Sequence, residues 1–132
     1  MSSIFSKIIA GEITSYKVAE DEYCYAFLDI NPLVKGHTLV VPKVEVDYLF
    51  DLDDDTTSRL NLFTKKVAKA IDICIDCKRV GVMVIGTEVP HAHIHLIPFQ
   101  KESEMDITRT KLQISAEEMG AIAAKISAAY LR

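Results

Sequence analysis

Hydrophobic positions along the chain follow two different spacings, which together predict three helices and five strands. Apolar residues three and four apart, the spacing of one helix face, occur in residues 4–9, 60–74 and 119–126. Between them lie runs rich in β-forming residues, which predict strands. The predicted strands are residues 16–20, 23–29, 37–41, 80–85 and 91–97.

The helix boundaries carry their own signals. Gly11 ends the first helical pattern, as a C-terminal cap does. The acidic run 51–55 places carboxylates at the positive end of the second helix. This run lacks the spacing and terminal Glu of an EF-hand loop, so a helix start is favoured over a calcium site. Residues 115–118 match a capping box and open the last helix.

The order of elements predicts the fold class. Residues 80–85 are apolar without alternation, which favours a central strand covered on both faces. Residues 101–111 are polar and predict a mobile connection. We found no repeat or linker that would divide the chain, so residues 1–132 are expected to form one domain. The predicted class is α+β, a mainly antiparallel sheet with helices packed on one side.

Composition narrows the range of partners. The 132 residues include 15 basic and 19 acidic ones, a formal charge of −4, which gives no basic surface for nucleic acid. Small anionic ligands stay possible, because backbone amides and imidazoles bind phosphate locally. No segment resembles a signal peptide or reaches the roughly 20 apolar residues of a membrane span. We expect a cytoplasmic protein without a membrane partner.

The cysteines Cys24, Cys74 and Cys77 are too few, and odd in number, for a disulfide framework. Residues 74–77 match Cys-x-x-Cys, but at the end of a helix, where the dipole disfavours a thiolate. We therefore expect buried, reduced thiols without a redox or zinc role.

Residues 90–99, Pro-His-Ala-His-Ile-His-Leu-Ile-Pro-Phe, hold three of the four histidines. In a strand, His91, His93 and His95 point to one side, neighbours about 7 Å apart by twice the strand rise. Such a row is compatible with a zinc site, in which His37 supplies a ligand from another strand. It is also compatible with covalent catalysis, in which the middle imidazole attacks phosphorus. A straight row converges poorly on one ion, which favours catalysis.

With this motif the sequence resembles the HIT (histidine triad) superfamily, in its Hint-like branch. The signature His-x-His-x-His followed by apolar residues stands at residues 91–97. Residues 4–13, 27–32 and 36–43 also match in order and separation, so the resemblance extends from residue 4 to about residue 99.

The resemblance implies a homodimer that binds a purine nucleotide, or an adduct of one, and cleaves it at the α-phosphorus. It makes His93 the nucleophile of a nucleotidyl-histidine intermediate, with His91 and His95 at the phosphate and leaving group. His37 would support the orientation of the nucleophile, and Asp29 would accept hydrogen bonds from the ribose hydroxyls. The implied base pocket consists of apolar residues that are also compatible with a core position: Phe5, Ile8, Phe27, Ile30 and Leu39.

Departures from the family pattern lie at two places. Ser3 and Ser6 replace the Cys-x-x-Cys that holds structural zinc in some relatives, so we expect no metal and no other cofactor. Residues 86–89 are short and lack an Asn that contacts phosphate, with Thr87 in place of Gln and Glu88 in place of Ser near the leaving group.

The leading hypothesis is a phosphoramidase acting on nucleoside 5′-phosphoramidates. The alternatives are a dinucleoside polyphosphate hydrolase, a nucleotide-binding or partner-binding protein with little catalysis, and a metal-dependent hydrolase that uses His37.

Overall fold

The computed structural model describes residues 2–131, which form one antiparallel sheet of five strands with three α-helices. In chain order the elements are α1 (Ile4–Ile9), β1 (Lys17–Glu20), β2 (Cys24–Leu28), β3 (Thr38–Pro42), α2 (Asp54–Cys74), β4 (Arg79–Met83), β5 (Ile94–Phe99) and α3 (Ala116–Tyr130). Short 3-10 helices cover Leu49–Asp51 and Glu102–Met105. The strand order is β1-β2-β3-β5-β4, and each neighbouring pair is antiparallel. The predicted α+β class is confirmed.

The central strands β2 and β3 are buried along their whole length, because both faces of the sheet are covered. Alternate residues such as Ala26 and Val40 belong to the main core beneath α2 and α3. Their neighbours Phe27 and Leu39 belong to a second cluster on the opposite face, which includes Phe5 of α1. The two long helices therefore share one face, and the short α1 packs on the other.

Helices α2 and α3 begin where the sequence predicts. The Asp53 carboxylate accepts a hydrogen bond of 2.7 Å from the Thr56 amide and caps α2. The Ser115 hydroxyl accepts one of 3.1 Å from the Glu118 amide and caps α3. Such caps each contribute about 1 kcal/mol to helix stability. Among residues 2–131, none of the helices combines the length and the apolar character that crossing a membrane requires.

Strand β4 lies at the edge of the sheet, so the prediction of a central strand for residues 80–85 is wrong. Only β5 pairs with it, and Val82 is 61% exposed. Beyond the end of β4, Val84 and Ile85 are also exposed. The unbroken apolar run indicated burial, but among residues 2–131 no strand pairs with the outer edge of β4.

The segment after β5 is anchored to the rest of the fold rather than being a mobile connection. It contains the 3-10 helix Glu102–Met105, and the Leu112 amide donates to the Pro32 carbonyl at 2.9 Å. Met105 rests on β4 at Gly81, where a Cβ atom would lie only 2.7 Å from the Met105 sulfur. A larger residue at position 81 would displace the end of the Met105 side chain. The segment is therefore held both at β4 and at the loop that contains Pro32.

The three thiols differ in their surroundings. Cys24 is buried, and burial raises its pKa to about 12. Cys74 and Cys77 are only partly buried, which corrects the expectation that all three lie in the core. The Cys74 thiol donates to the Lys125 carbonyl, whereas the Cys77 thiol donates to Asp72. Burial, and then Asp72, raise the pKa of Cys77, which disfavours a reactive thiolate.

Candidate active site

The histidine motif is not one continuous strand. His95 belongs to β5, but His91 and His93 precede it in an irregular stretch. There the Ala92 amide donates to the Val46 carbonyl at 2.7 Å, outside the regular ladder. The rings of His93 and His95 nevertheless lie close together, with centroids 5.1 Å apart. His37 at the start of β3 joins them, 5.2 Å from the His95 ring.

His91 is fully buried, with an exposed fraction of 0%. Its Nε2 donates to the Pro42 carbonyl at 2.7 Å, so in the neutral ring Nδ1 accepts from the Ser3 hydroxyl at 2.8 Å. Burial lowers the pKa of His91, which favours this neutral form. Because both ring nitrogens bond within the protein, the structure does not bring His91 to a phosphate or leaving group, contrary to expectation.

Ser3 and Ser6 connect His91 to the N-terminal helix. The Ser3 hydroxyl also accepts from the Ser6 amide at 3.0 Å and so caps α1. The exposed Glu45 carboxylate accepts from the Ser3 amide and the Ser6 hydroxyl, each at 2.7 Å. These two hydrogen bonds, that from the Ser3 amide first, lower the pKa of Glu45. The network fixes the entry of α1 against the His91 ring.

A hydrogen bond to the backbone sets the tautomer of His93. Its Nδ1 lies 2.8 Å from the His91 carbonyl, which only accepts, so Nδ1 carries the hydrogen. In the neutral ring Nε2 then keeps its lone pair, as a nucleophile requires. Phe5 packs edge-on against the ring with centroids 5.0 Å apart and holds its plane.

His37 and His95 form a chain of hydrogen bonds that begins at the backbone. The Leu33 amide donates to His37 Nδ1 at 3.0 Å, so Nε2 of His37 carries the hydrogen and donates to His95 Nδ1 at 2.9 Å. The remaining nitrogen of neutral His95, Nε2, must then be an N–H donor. His37 therefore orients His95, whereas the resemblance implied support of the nucleophile His93.

Both rings of this chain are neutral near pH 7. Burial, and then the nearby His95, lower the pKa of His37 to about 3. Burial, and then His93, lower the pKa of His95 to about 4. Since a protonated His37 would place a second donor opposite the Leu33 amide, the hydrogen bonds and the pKa shifts indicate the same state.

Asp29 lies beside this chain, with Oδ2 3.6 Å from His37 Nε2. Its Oδ1 accepts from the Asn31 amide at 2.8 Å, and burial raises the pKa of the carboxyl group. Since His37 donates to His95, Oδ2 of Asp29 keeps acceptor capacity for another donor.

Asp29, His37 and His95 also form the one group among residues 2–131 whose ligand atoms are spaced as a metal site would require, all within 4.8 Å. A metal would need the lone pair of His37 Nε2, which carries a hydrogen as long as the Leu33 amide donates to Nδ1. The hydrogen bonds of this group thus fit a relay that orients His95 without passing a proton, and they do not fit a metal centre.

A cleft of about 200 Å³ opens over the relay. Its lining combines residues of the β2–β3 loop, the stretch after β4 and the segment after β5: Asp29, Asn31, Leu33, His37, Ile85, Gly86, Thr87, Glu88, His95, Ile107 and Lys111. Thr87 and Glu88 both line this cleft. Sequence reasoning gave no role to Asn31, Ile107 and Lys111. No periodicity or motif marks Ile107 and Lys111, whereas Asn31 lies in a matching segment without an assigned role.

The apolar residues assigned to a base pocket lie elsewhere. Four of them are buried in the cluster beneath α1 and outside the lining of the cleft: Phe5, Ile8, Phe27 and Leu39. Ile30, in contrast, is 71% exposed beside Asp29. A second opening of about 290 Å³ reaches His93 and is lined in part by Tyr48 and Phe50. Ile85 and Gly86 belong to both openings.

Comparisons with known proteins identify the family of this chain. A family model described as HIT domain matches residues 10–102. An uncharacterized HIT-like protein of Borreliella burgdorferi is 38% identical over 132 residues, covering 94% of this chain and 95% of that protein. An adenosine 5′-monophosphoramidase of Schizosaccharomyces pombe is 35% identical over 133 residues, covering 96% and 97%. The crystal structure of a Hit-like protein from Bartonella henselae superimposes with a TM-score of 0.83 at 33% identity, covering 97% of this chain and 96% of that one. With the family model matched over more than half of its length, this chain belongs to the HIT family.

Proposed function

We propose that this protein hydrolyses purine nucleoside 5′-phosphoramidates, or related mononucleotide adducts, at the α-phosphorus. The observation that carries the proposal is the hydrogen bond of His93, whose Nδ1–H donates to the His91 carbonyl at 2.8 Å, so that Nε2 bears the lone pair in the neutral ring. Two yeast relatives named adenosine 5′-monophosphoramidase support this substrate class.

The proposed reaction has two steps. His93 Nε2 attacks phosphorus, a nitrogen–phosphorus bond forms to the enzyme, and the bond to the leaving amine breaks. Water then attacks the same phosphorus, breaks the bond to His93 and releases the nucleoside monophosphate. The leaving amine gains one proton in the first step and water loses one in the second, so the sum is balanced. His95 Nε2–H donates a hydrogen bond to the phosphate or leaving group, while the proton gained by the amine is taken from solvent and is returned to solvent when water attacks.

The remaining site residues have supporting roles in this proposal. His91 holds its own carbonyl in place for His93, and His37 sets the tautomer of His95. Asp29 accepts hydrogen bonds from the ribose hydroxyls through its free oxygen. Ile30 offers an exposed apolar surface for the base beside Asp29. The buried cluster that includes Phe5 supports the ring of His93.

We also propose that two copies associate through the edge of β4. Its apolar residues, such as Val82, are exposed, and its outer backbone groups have no neighbouring strand among residues 2–131. A second copy of β4 would continue the sheet across a two-fold axis. The free thiols Cys24, Cys74 and Cys77 are compatible with a reducing, cytoplasmic location.

Intact-mass spectrometry tests the catalytic proposal directly. Wild-type protein mixed with adenosine 5′-phosphoramidate and denatured at neutral pH should gain the mass of one adenylyl group, and peptide mapping should assign that group to His93. The variant His93→Ala should show neither the adduct nor turnover while still binding AMP. Undiminished turnover by His93→Ala would exclude the assigned nucleophile.

A further inference from the structure

The cleft contains two carboxylates and one lysine side chain, so a negatively charged phosphate in it depends on that lysine, Lys111, for a positive charge. Asp29 and Glu88 contribute two carboxylates. His37 and His95 are neutral, because burial lowers the pKa of both rings. Of the described residues that line the cleft, Lys111 alone is a lysine or arginine. A phosphate brought next to two carboxylates needs a cation nearby.

The segment after β5 presents this ammonium group to the cleft. The Leu112 amide donates to the Pro32 carbonyl at 2.9 Å and so fixes the backbone next to Lys111. Lys111 Nζ donates to the Ile107 carbonyl and, at 3.2 Å, to the Arg109 carbonyl. None of the ion pairs formed within residues 2–131 involves Lys111. An ammonium group has three donors, so one remains for a ligand.

The charge of Lys111 already acts on the relay. It belongs to the causes that lower the pKa of His37, after burial and the neighbouring His95. It also opposes the effect of burial, the largest cause, on the pKa of Asp29. The Lys111 ammonium group therefore lies close enough to His37 and Asp29 for its charge to affect both groups.

We propose that Lys111 binds a phosphate oxygen of the nucleotide and so makes the site selective for phosphorylated nucleosides over free nucleosides. This inference rests on the proposed function and adds a specificity-determining residue to it. The stretch 86–89 is short and holds no Asn that could contact phosphate. In this proposal Lys111 supplies that contact from the segment after β5.

The test compares affinities for AMP and for adenosine by isothermal titration calorimetry. Lys111→Met should weaken AMP binding by about tenfold or more, as expected for the loss of a charge-assisted hydrogen bond, and leave adenosine binding unchanged. Lys111→Arg should keep most of the AMP affinity, because it retains the charge. The matched control is Lys125→Met, which removes the same charge from an exposed position on α3.

Each outcome decides between the two proposals. Equal AMP affinity in wild type and Lys111→Met overturns the role of Lys111 and leaves the proposed function intact. A wild-type protein that binds neither AMP nor adenosine overturns the proposed function, and this inference with it. Unchanged adenosine binding also shows that the variant is folded. If Lys111→Met does not fold, Lys111→Gln replaces it in the same comparison with Lys111→Arg.

Discussion

His37 Nε2 and His95 Nδ1 lie 2.9 Å apart, and the amide of Leu33 decides which of them carries the hydrogen. A backbone group that cannot titrate thus sets the tautomers of two rings in sequence. The consequence is an N–H donor at His95, whose ring lies beside that of His93 with centroids 5.1 Å apart. This pairing is the chemical basis of the proposed reaction.

The first prediction concerns His37. In His37→Asn the side-chain oxygen can still accept from the Leu33 amide, but the shorter side chain does not carry its NH2 donor to the position that His37 Nε2 occupies next to His95. We expect kcat for adenosine 5′-phosphoramidate to fall by about tenfold or more, because His95 is no longer held as a donor. His37→Ala should in addition lower the free energy of unfolding by about 1–3 kcal/mol, since the Leu33 amide loses its partner. A wild-type kcat in His37→Asn would contradict the relay.

The second prediction concerns pH. The pKa values of His37 and His95 are lowered in the folded protein to about 3 and about 4, from an ordinary value of 6.5. Between the folded values and pH 6.5 the unfolded chain binds more protons than the folded protein, so the free energy of unfolding rises with pH. This stability is complete above pH 6.5 and is lost as the pH falls through the folded values.

Urea unfolding at several pH values checks this dependence. In the window between about pH 4 and 6.5 the wild-type slope should be positive, and His37→Asn should show a smaller slope. The slope should not vanish, because His95 still titrates in that variant. Identical slopes in the two proteins would exclude a buried, neutral His37.

The third prediction separates helix capping from support of His91. Ser3→Ala removes the cap of α1 and the donor to His91 Nδ1, whereas Ser115→Ala removes only the cap of α3. We expect Ser115→Ala to cost about 1 kcal/mol and Ser3→Ala about 2–3 kcal/mol. Only Ser3→Ala should also lower turnover, through the carbonyl of His91. Equal losses of stability in the two variants would argue against the buried hydrogen bond.

The fourth prediction tests the association of two copies. Sedimentation equilibrium should give the mass of two chains for the wild type. Val82→Glu should raise the dimer dissociation constant by about tenfold or more, because a carboxylate would lose its water at the interface. Val44→Glu is the matched control, since Val44 is 50% exposed and lies outside β4. A wild-type mass of one chain would refute the dimer.

Local signals were enough to predict most of the fold. The caps at Asp53 and Ser115 act over three residues, so the sequence shows both partners of each bond. Strand β4 was misplaced because an apolar run indicates burial without naming what covers it. The sheet order depends on pairing across the whole chain, which a single run does not encode.

The site was predicted less completely, for a related reason. The motif marked the histidines as candidate site residues, but it does not show the tautomer of each ring, which depends on hydrogen bonds to backbone carbonyls and amides. The Pro42 carbonyl occupies a nitrogen of His91, and the His91 carbonyl does the same for His93. Lys111 reaches the cleft only because Leu112 bonds to Pro32, a contact between residues 80 positions apart.

Gly81 lies outside the cleft, in the edge strand β4. The segment after β5, which also carries Lys111, packs on β4 at this residue. Met105 occupies the space that any larger residue at position 81 would need, with Phe99 close beside it. A methyl group at position 81 would displace the end of the Met105 side chain. A residue with no side chain thus makes room at the sheet edge for a side chain of the segment that also carries Lys111.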